Sequence, residues 1–131
     1  MKGVNEALYV LWKAGCLHPF RISRIMMLAD WKYEERYGER LTEFKYLGTD
    51  FGFYVDGLPE LLEDTKCIRR KKFMTPEGEK GCLEYICGGE PECEGKDVLN
   101  EVIEGTREMS DVELNRLVIR DPRYRKYLSE A

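Results

Sequence analysis

The chain predicts an α+β fold, mostly helical, with a winged-helix-like core, a two-stranded β-hairpin wing and extra C-terminal helices. Three features between residues 19 and 87 carry that expectation. A long helical pattern ends at Gly38, and a short helix follows around Leu58, Leu61 and Leu62. Two strand-like runs then flank a turn at Pro76-Glu-Gly78. Helix, helix and ribbon in that order is the layout of a scaffold that reads DNA or grips proteins.

Each element has a local reason. Residues 5–14 form a first helix, in which Ala7, Leu8, Leu11 and Trp12 make one apolar stripe stopped by Gly15. A second helix opens near Pro19, whose missing N–H has no intrahelical acceptor in a first turn. Its stripe runs through Ile22, Ile25, Met26, Ala29, Tyr33 and Tyr37. Met27, Leu28 and Trp31 widen it until the helix is apolar on most sides, the mark of a central element. A segment over 41–47 leads through Tyr46 to a glycine-punctuated turn at 49–52. Helix 55–64 turns Leu58, Leu61 and Leu62 inward. Strands 67–73 and 81–87 alternate apolar groups with Arg and Lys, as a half-exposed ribbon does. Residues 88–95 read as a turn-rich linker. Helix 97–105 gathers Val98, Leu99, Val102 and Ile103. Ser110-Asp-Val-Glu113 is a capping box, and its serine is worth about 1 kcal/mol. The helix it opens carries Leu114, Leu117 and Val118 and stops at Pro122; a last short helix uses Tyr124, Tyr127 and Leu128. There is no repeat, and residues 1–131 read as a single regulatory or interaction domain.

At 131 residues the chain can bury an adequate core unaided. No apolar run approaches the roughly 18–20 residues that cross a bilayer. Residues 1–6 lack a signal-peptide core, so the expected location is cytoplasmic, with no membrane partner. Charged residues make up 35% and Gln is absent, a bias seen in hyperthermophiles. Five cysteines fit such a host only where intracellular disulfides are tolerated. The net charge of −4 is uneven: residues 66–80 hold six basic and two acidic groups, whereas 84–113 hold two basic and ten acidic. A basic wing on an acidic body can still touch phosphate.

Arg69, Arg70, Lys71 and Lys72, with Lys80 on the facing strand, are the candidate nucleic-acid contacts. Helix 55–64 reads poorly beside them. Asp56, Glu60, Glu63 and Asp64 repel phosphate, and no Arg, Asn or Gln remains for base edges. The other account of the basic run is a solvated face, or a patch for an acidic protein partner. Phe51 and Tyr54, in the turn beside Gly52, are candidate partner anchors with Tyr124 and Tyr127, because aromatic side chains commonly anchor interfaces; Phe53 is assigned to the core. Leu8, Tyr9, Leu11 and Trp12 exceed what one core face needs, which suggests a homodimer through helix 5–14.

Cys82, Cys87 and Cys93 are spaced C-x4-C and C-x5-C, too widely for zinc knuckles, and Cys82 and Cys87 fall on opposite ribbon faces. No metal site is expected. A Cys87–Cys93 disulfide across the short Gly-Gly-Glu-Pro-Glu loop is one candidate, Cys67–Cys82 a second, and buried thiols the third; Cys16 reads as core. His18, before Pro19, reads as a helix-start residue rather than a catalytic one. Gly48-Thr-Asp-Phe-Gly52 lacks the spacing of a phosphate-binding loop and the serine of a nucleophile elbow. Neither an enzyme nor a cofactor is expected.

Across residues 20–128 the chain resembles the SocA-like, or Panacea, antitoxin domain family. The resemblance rests on helix 22–37 before Gly38, Leu41-Thr-Glu-Phe-Lys-Tyr46, Gly52 with the helix at 58–64, and Asp97-Val-Leu-Asn-Glu-Val-Ile103 followed by Ser110-Asp-Val-Glu-Leu-Asn-Arg-Leu117. These are mostly core leucines and turn glycines. Gly52-Phe53 stands where the family commonly has Gly-Pro, and Ile119 and Tyr124 stand where it has a His and a Trp. The resemblance implies a non-enzymatic module that binds a protein: an antitoxin paired with a toxin, or an adaptor delivering a client to a protease.

Overall fold

The computed structural model describes residues 1–128. Its elements run α1 (Val4–Ala14), α2 (Pro19–Tyr37), β1 (Tyr46–Thr49), β2 (Gly52–Val55), α3 (Leu58–Glu63), β3 (Ile68–Thr75), β4 (Gly78–Tyr85), α4 (Lys96–Thr106) and α5 (Asp111–Ile119), ending in a 3-10 turn, Pro122–Tyr127. The fold is α+β. Helix α2 lies at its centre, with α1, α4 and α5 packed on it. Pro19 occupies its first turn, and His18 caps it by accepting the Phe20 N–H on Nδ1 at 3.0 Å. Gly38 ends it in the left-handed region at φ 81°, where only glycine is unstrained. The Ser110–Glu113 capping box forms at the start of α5, with the Glu113 N–H 3.1 Å from the serine hydroxyl.

Two hairpins form rather than one. Beside the wing, β1 and β2 pair antiparallel from Tyr46↔Val55 to Thr49↔Gly52, closing on Asp50 and Phe51. The wing pairs Ile68↔Tyr85 through Thr75↔Gly78, so β4 begins before residue 81 and β3 extends beyond 73. Both turns use the same device. A threonine hydroxyl, Thr49 or Thr75, donates to the carbonyl of the glycine three residues on, at 3.0 and 2.8 Å. The sheet register claims Val55, which shortens the expected helix 55–64 to α3.

Two charged side chains of α2 are buried. Asp30 is fully enclosed and accepts four hydrogen bonds: from the Tyr46 hydroxyl at 2.5 Å, the Thr42 hydroxyl at 2.7 Å, the Thr42 N–H at 2.8 Å and Arg40 Nη2 at 2.9 Å. Burial, then the Asp30 carboxylate beside it, pushes the Tyr46 phenol well above the ordinary tyrosine range. Arg24, 2% exposed, is held on another face of the helix by β2 and α5.

The cysteine pairing differs from both candidates. Cys87 bonds Cys67, Cys82 bonds Cys16, and Cys93 remains a thiol. Cys67 lies just before β3 and Cys87 just after β4, so the hairpin itself brings them to a Cα separation of 5.0 Å. Cys82 cannot meet Cys67, because Lys71 stands opposite it in the register. It faces the α1–α2 connection instead, where Leu17 and Leu83 exchange backbone hydrogen bonds at 2.8 and 3.2 Å. Burial, with Glu6 adding to it, pushes the Cys93 thiol up to about 12, so it does not ionise near neutrality.

The disulfides span 66 and 20 residues. Cys16→Ser with Cys82→Ser should lower unfolding stability by about 4 kcal/mol, and Cys67→Ser with Cys87→Ser by about 3 kcal/mol, read from urea midpoints without reductant. If both paired variants match the parent, the bridges do not form in solution. Arg36 clamps α2 to α4 through Asp97 at 3.1 Å and Glu101 at 2.6 Å, and Tyr37 donates to Asp97 at 2.6 Å. The Tyr37 hydroxyl holds Asp97, and the Arg36 guanidinium holds Glu101, below the usual carboxylate range. Depressed folded-state values stabilise above the unfolded pKa, and that stability is lost as pH falls through the folded one. Stability should therefore drop below about pH 4, and Arg36→Met should flatten that acid limb in a pH series of thermal melts.

Candidate functional site

The basic wing is met by carboxylates at every position from 69 to 72. Arg69 and Lys71 share one strand face and both reach Glu84, each at 2.6 Å. Arg70, on the other face, pairs with Glu63 of α3, and Lys72 lies 3.5 Å from Glu79. The Lys71 ammonium, then Arg69, holds the Glu84 carboxyl below its usual range. Lys80 is exposed and forms no ion pair among the described residues. The wing is basic in sequence but paired in space.

The second surface is the β1–β2 corner. Phe51 at its tip is 87% exposed and Tyr54 on β2 is 58% exposed, whereas Phe53 between them is buried. Three anchors fix the corner. Tyr124 donates to the carbonyls of Gly52 at 2.6 Å and Thr49 at 2.9 Å; Asn115 Nδ2 donates to the Phe51 carbonyl at 3.1 Å; Arg24 Nη1 donates to the Phe53 carbonyl at 2.8 Å. Gly52 is required there, because a Cβ would stand 2.9 Å from Arg24 Nη2. Beside the corner, between the start of α2, β2 and α3, lies a cavity of about 380 Å³. Phe20, Val55, Leu58 and Pro59 line it, together with the exposed Tyr54, His18 and the buried Ser23 and Arg24.

Several candidate positions are corrected. Tyr124 is 2% exposed and spends its hydroxyl on the corner, so it anchors the fold and no partner. Tyr127 is half-buried between Trp31 and Tyr46, with ring centroids 6.4 and 5.6 Å away. Leu8, Tyr9 and Leu11 are core residues, and only Trp12, 38% exposed, reaches the surface of α1. The stripe exceeded one face because α1 packs against α2, α3, α4 and β4 together, which removes the basis for a dimer through it. Among the described residues no three His, Cys, Asp or Glu side chains converge as metal ligands, and no helix is long and apolar enough to cross a membrane. Arg24 and Asn115, which build the corner, were not singled out in the sequence. The available signal was Arg24 itself, a charge between Ser23 and Ile25 on a helix apolar on most sides.

No family model, curated protein or solved structure matches this chain.

A wing that met about four phosphates would lose roughly a hundredfold in DNA affinity between 50 and 200 mM salt. With Glu63, Glu79 and Glu84 in place, binding to random duplex should be weak and its salt slope shallow. The triple variant Glu63→Gln, Glu79→Gln, Glu84→Gln should bind more tightly and steepen that slope. A parent protein already showing the steep slope would mean that phosphate displaces the internal carboxylates.

Proposed function

We propose that the chain is a non-enzymatic regulatory module that acts by binding a protein partner, through the β1–β2 corner. The observation that carries this is the pairing of two exposed aromatic rings, Phe51 and Tyr54, with a backbone fixed by Arg24, Asn115 and Tyr124. Large aromatic side chains on a fixed frame bind with little ordering entropy, and such residues dominate interface energetics. The SocA-like resemblance, which gives the partner as a toxin-like protein or a client for a protease, is consistent with this role. So is the winged-helix-like succession of α2, α3 and the β3–β4 ribbon, a frame used for gripping proteins as well as DNA. The DNA-binding alternative rests on Arg69 to Lys72 and Lys80, and loses ground because the fold supplies carboxylates to that run. A cytoplasmic location fits two disulfides in a hyperthermophilic host, where intracellular bridges persist.

The test compares the parent with a Phe51→Ala, Tyr54→Ala variant in pull-downs from the native host, then in titrations with whatever the parent captures. Both side chains are exposed, so the melting temperature should hold. Affinity for the partner should fall by at least roughly thirtyfold, as loss of an aromatic anchor worth about 2 kcal/mol implies. Undiminished binding by this variant, together with loss in a wing variant, would move the interface to the ribbon.

A further inference from the structure

Arg24 carries a charge with no carboxylate in contact with it: Asp111 acts on it electrostatically, but that carboxylate is paired with Arg21 at 2.9 Å. Its Nε and Nη2 donate to Asn115 Oδ1 at 3.2 and 3.0 Å. Its Nη1 serves Ser23 Oγ at 2.8 Å, the Phe53 carbonyl at 2.8 Å and the Phe20 carbonyl at 3.3 Å. Every acceptor is neutral, and among the described residues no carboxylate forms an ion pair with it. The Phe20 and Phe53 rings cover the guanidinium, with centroids 3.6 and 4.1 Å from Cζ. Ring faces and neutral dipoles offset part of the desolvation of a buried cation but do not remove its charge. Burial accordingly pushes Arg24 down to about 10. Asp30, the other buried charge of α2, has Arg40 beside it.

Buried Arg24 also lines the cavity beside Tyr54, whose volume of about 380 Å³ falls in the range of small-molecule sites, roughly 300–1,000 Å³. We propose that this cavity binds a small organic monocarboxylate. The apolar body lies along Phe20, Leu58 and Pro59, and the carboxylate meets Arg24 Nη1, while Ser23 Oγ keeps its own bonds, donating to the Phe20 carbonyl at 2.7 Å and accepting from Nη1 at 2.8 Å. Nη1 has two hydrogens and three acceptors, and the 3.3 Å bond to the Phe20 carbonyl is the longest, so a carboxylate oxygen replaces that one. The exchange replaces a guanidinium–carbonyl hydrogen bond, in which only the donor is charged, by one in which donor and acceptor carry opposite charges. One cation among apolar walls suits a single negative charge on an apolar body; phosphate would bring more charge and no apolar surface. This proposal does not rest on the partner-binding role, which uses Phe51 and the outer surface of Tyr54.

The experiment titrates the full ¹⁵N-labelled chain with hexanoate and phenylacetate, and with hexanamide and phenylacetamide as neutral isosteres. The acids should give saturable shifts at the Arg24 Nε–H signal and at the Ser23 and Tyr54 amides, with the amides weaker by roughly tenfold or more. Equal binding of acid and amide would reduce the site to an apolar hollow. Acids that shift only the wing lysines and arginines, or nothing into the millimolar range, would overturn the proposal. The unmodified protein is used throughout, so no result depends on a variant folding, and failure here leaves the pull-down comparison untouched.

Discussion

Helix α2 is apolar on most sides yet carries two fully enclosed charges, Arg24 and Asp30, and the chain around it is arranged to meet them. A buried charge left unsatisfied would cost several kcal/mol, a large part of a small domain's total stability. Their partners come from far along the chain. Asp30 draws in Thr42 and Tyr46, while Arg24 reaches Phe53, 29 residues on, and Asn115, 91 residues on. Successive helical residues are turned by about 100°, so a one-residue slip of α2 would leave both charges facing apolar neighbours. Close packing of the apolar side chains already resists such a slip, and the directional hydrogen bonds of the two charges add to that resistance. The two charges therefore reinforce one register, at a cost that apolar residues would not incur.

The same interactions place the β1–β2 corner. The β1–β2 hairpin has four residues in each strand, and two-stranded ribbons of that size are marginal alone. Its rigidity is borrowed from α2, α5 and the 3-10 turn, through Arg24, Asn115 and Tyr124. The carbonyls of Thr49, Phe51, Gly52 and Phe53 are all held by side chains from those elements, so the backbone that carries the exposed Phe51 and Tyr54 rings is anchored along the turn. The cavity beside them is lined by the same Arg24, with Phe20 and Phe53, whose rings cover its guanidinium.

Periodicity revealed what depends on local sequence. The helices, their caps at His18 and Ser110, the stop at Gly38 and the wing hairpin all have signals within a few residues. The β1–β2 hairpin was missed because Asp50-Phe51 is not a usual hairpin dipeptide. Thr49-Asp-Phe-Gly52 nevertheless repeats the Thr-x-x-Gly of Thr75-Pro-Glu-Gly78, the signal that could have found it. Disulfide pairing was illegible for a different reason: Cys67 and Cys87 meet only because β3 begins one residue after Cys67 and β4 ends two residues before Cys87, a matter of register rather than spacing. Tyr124 and Tyr127 looked like surface aromatics on a charged tail, and tertiary hydrogen bonding and stacking drew both inward. Leu8, Tyr9 and Leu11 looked surplus only while α1 was assigned a single packing face.

The basic wing shows why a charge run is not yet a charged surface. On a ribbon, Arg69 and Lys71 point to one face and Arg70 and Lys72 to the other, so four adjacent cations never form one patch. Each face then meets acids that a linear count over 66–80 leaves out: Glu84 on the partner strand and Glu63 on α3. Exposed ion pairs contribute little to stability one by one, but they set the field that an approaching polyanion encounters. The unpaired character of the wing is confined to its tip, where Lys80 lies opposite the half-exposed Phe73, and Met74 beside it is 76% exposed. The stem therefore presents internally paired charge, and the tip sets one unpaired lysine beside exposed apolar side chains, so the linear run of four cations does not amount to a continuous basic surface.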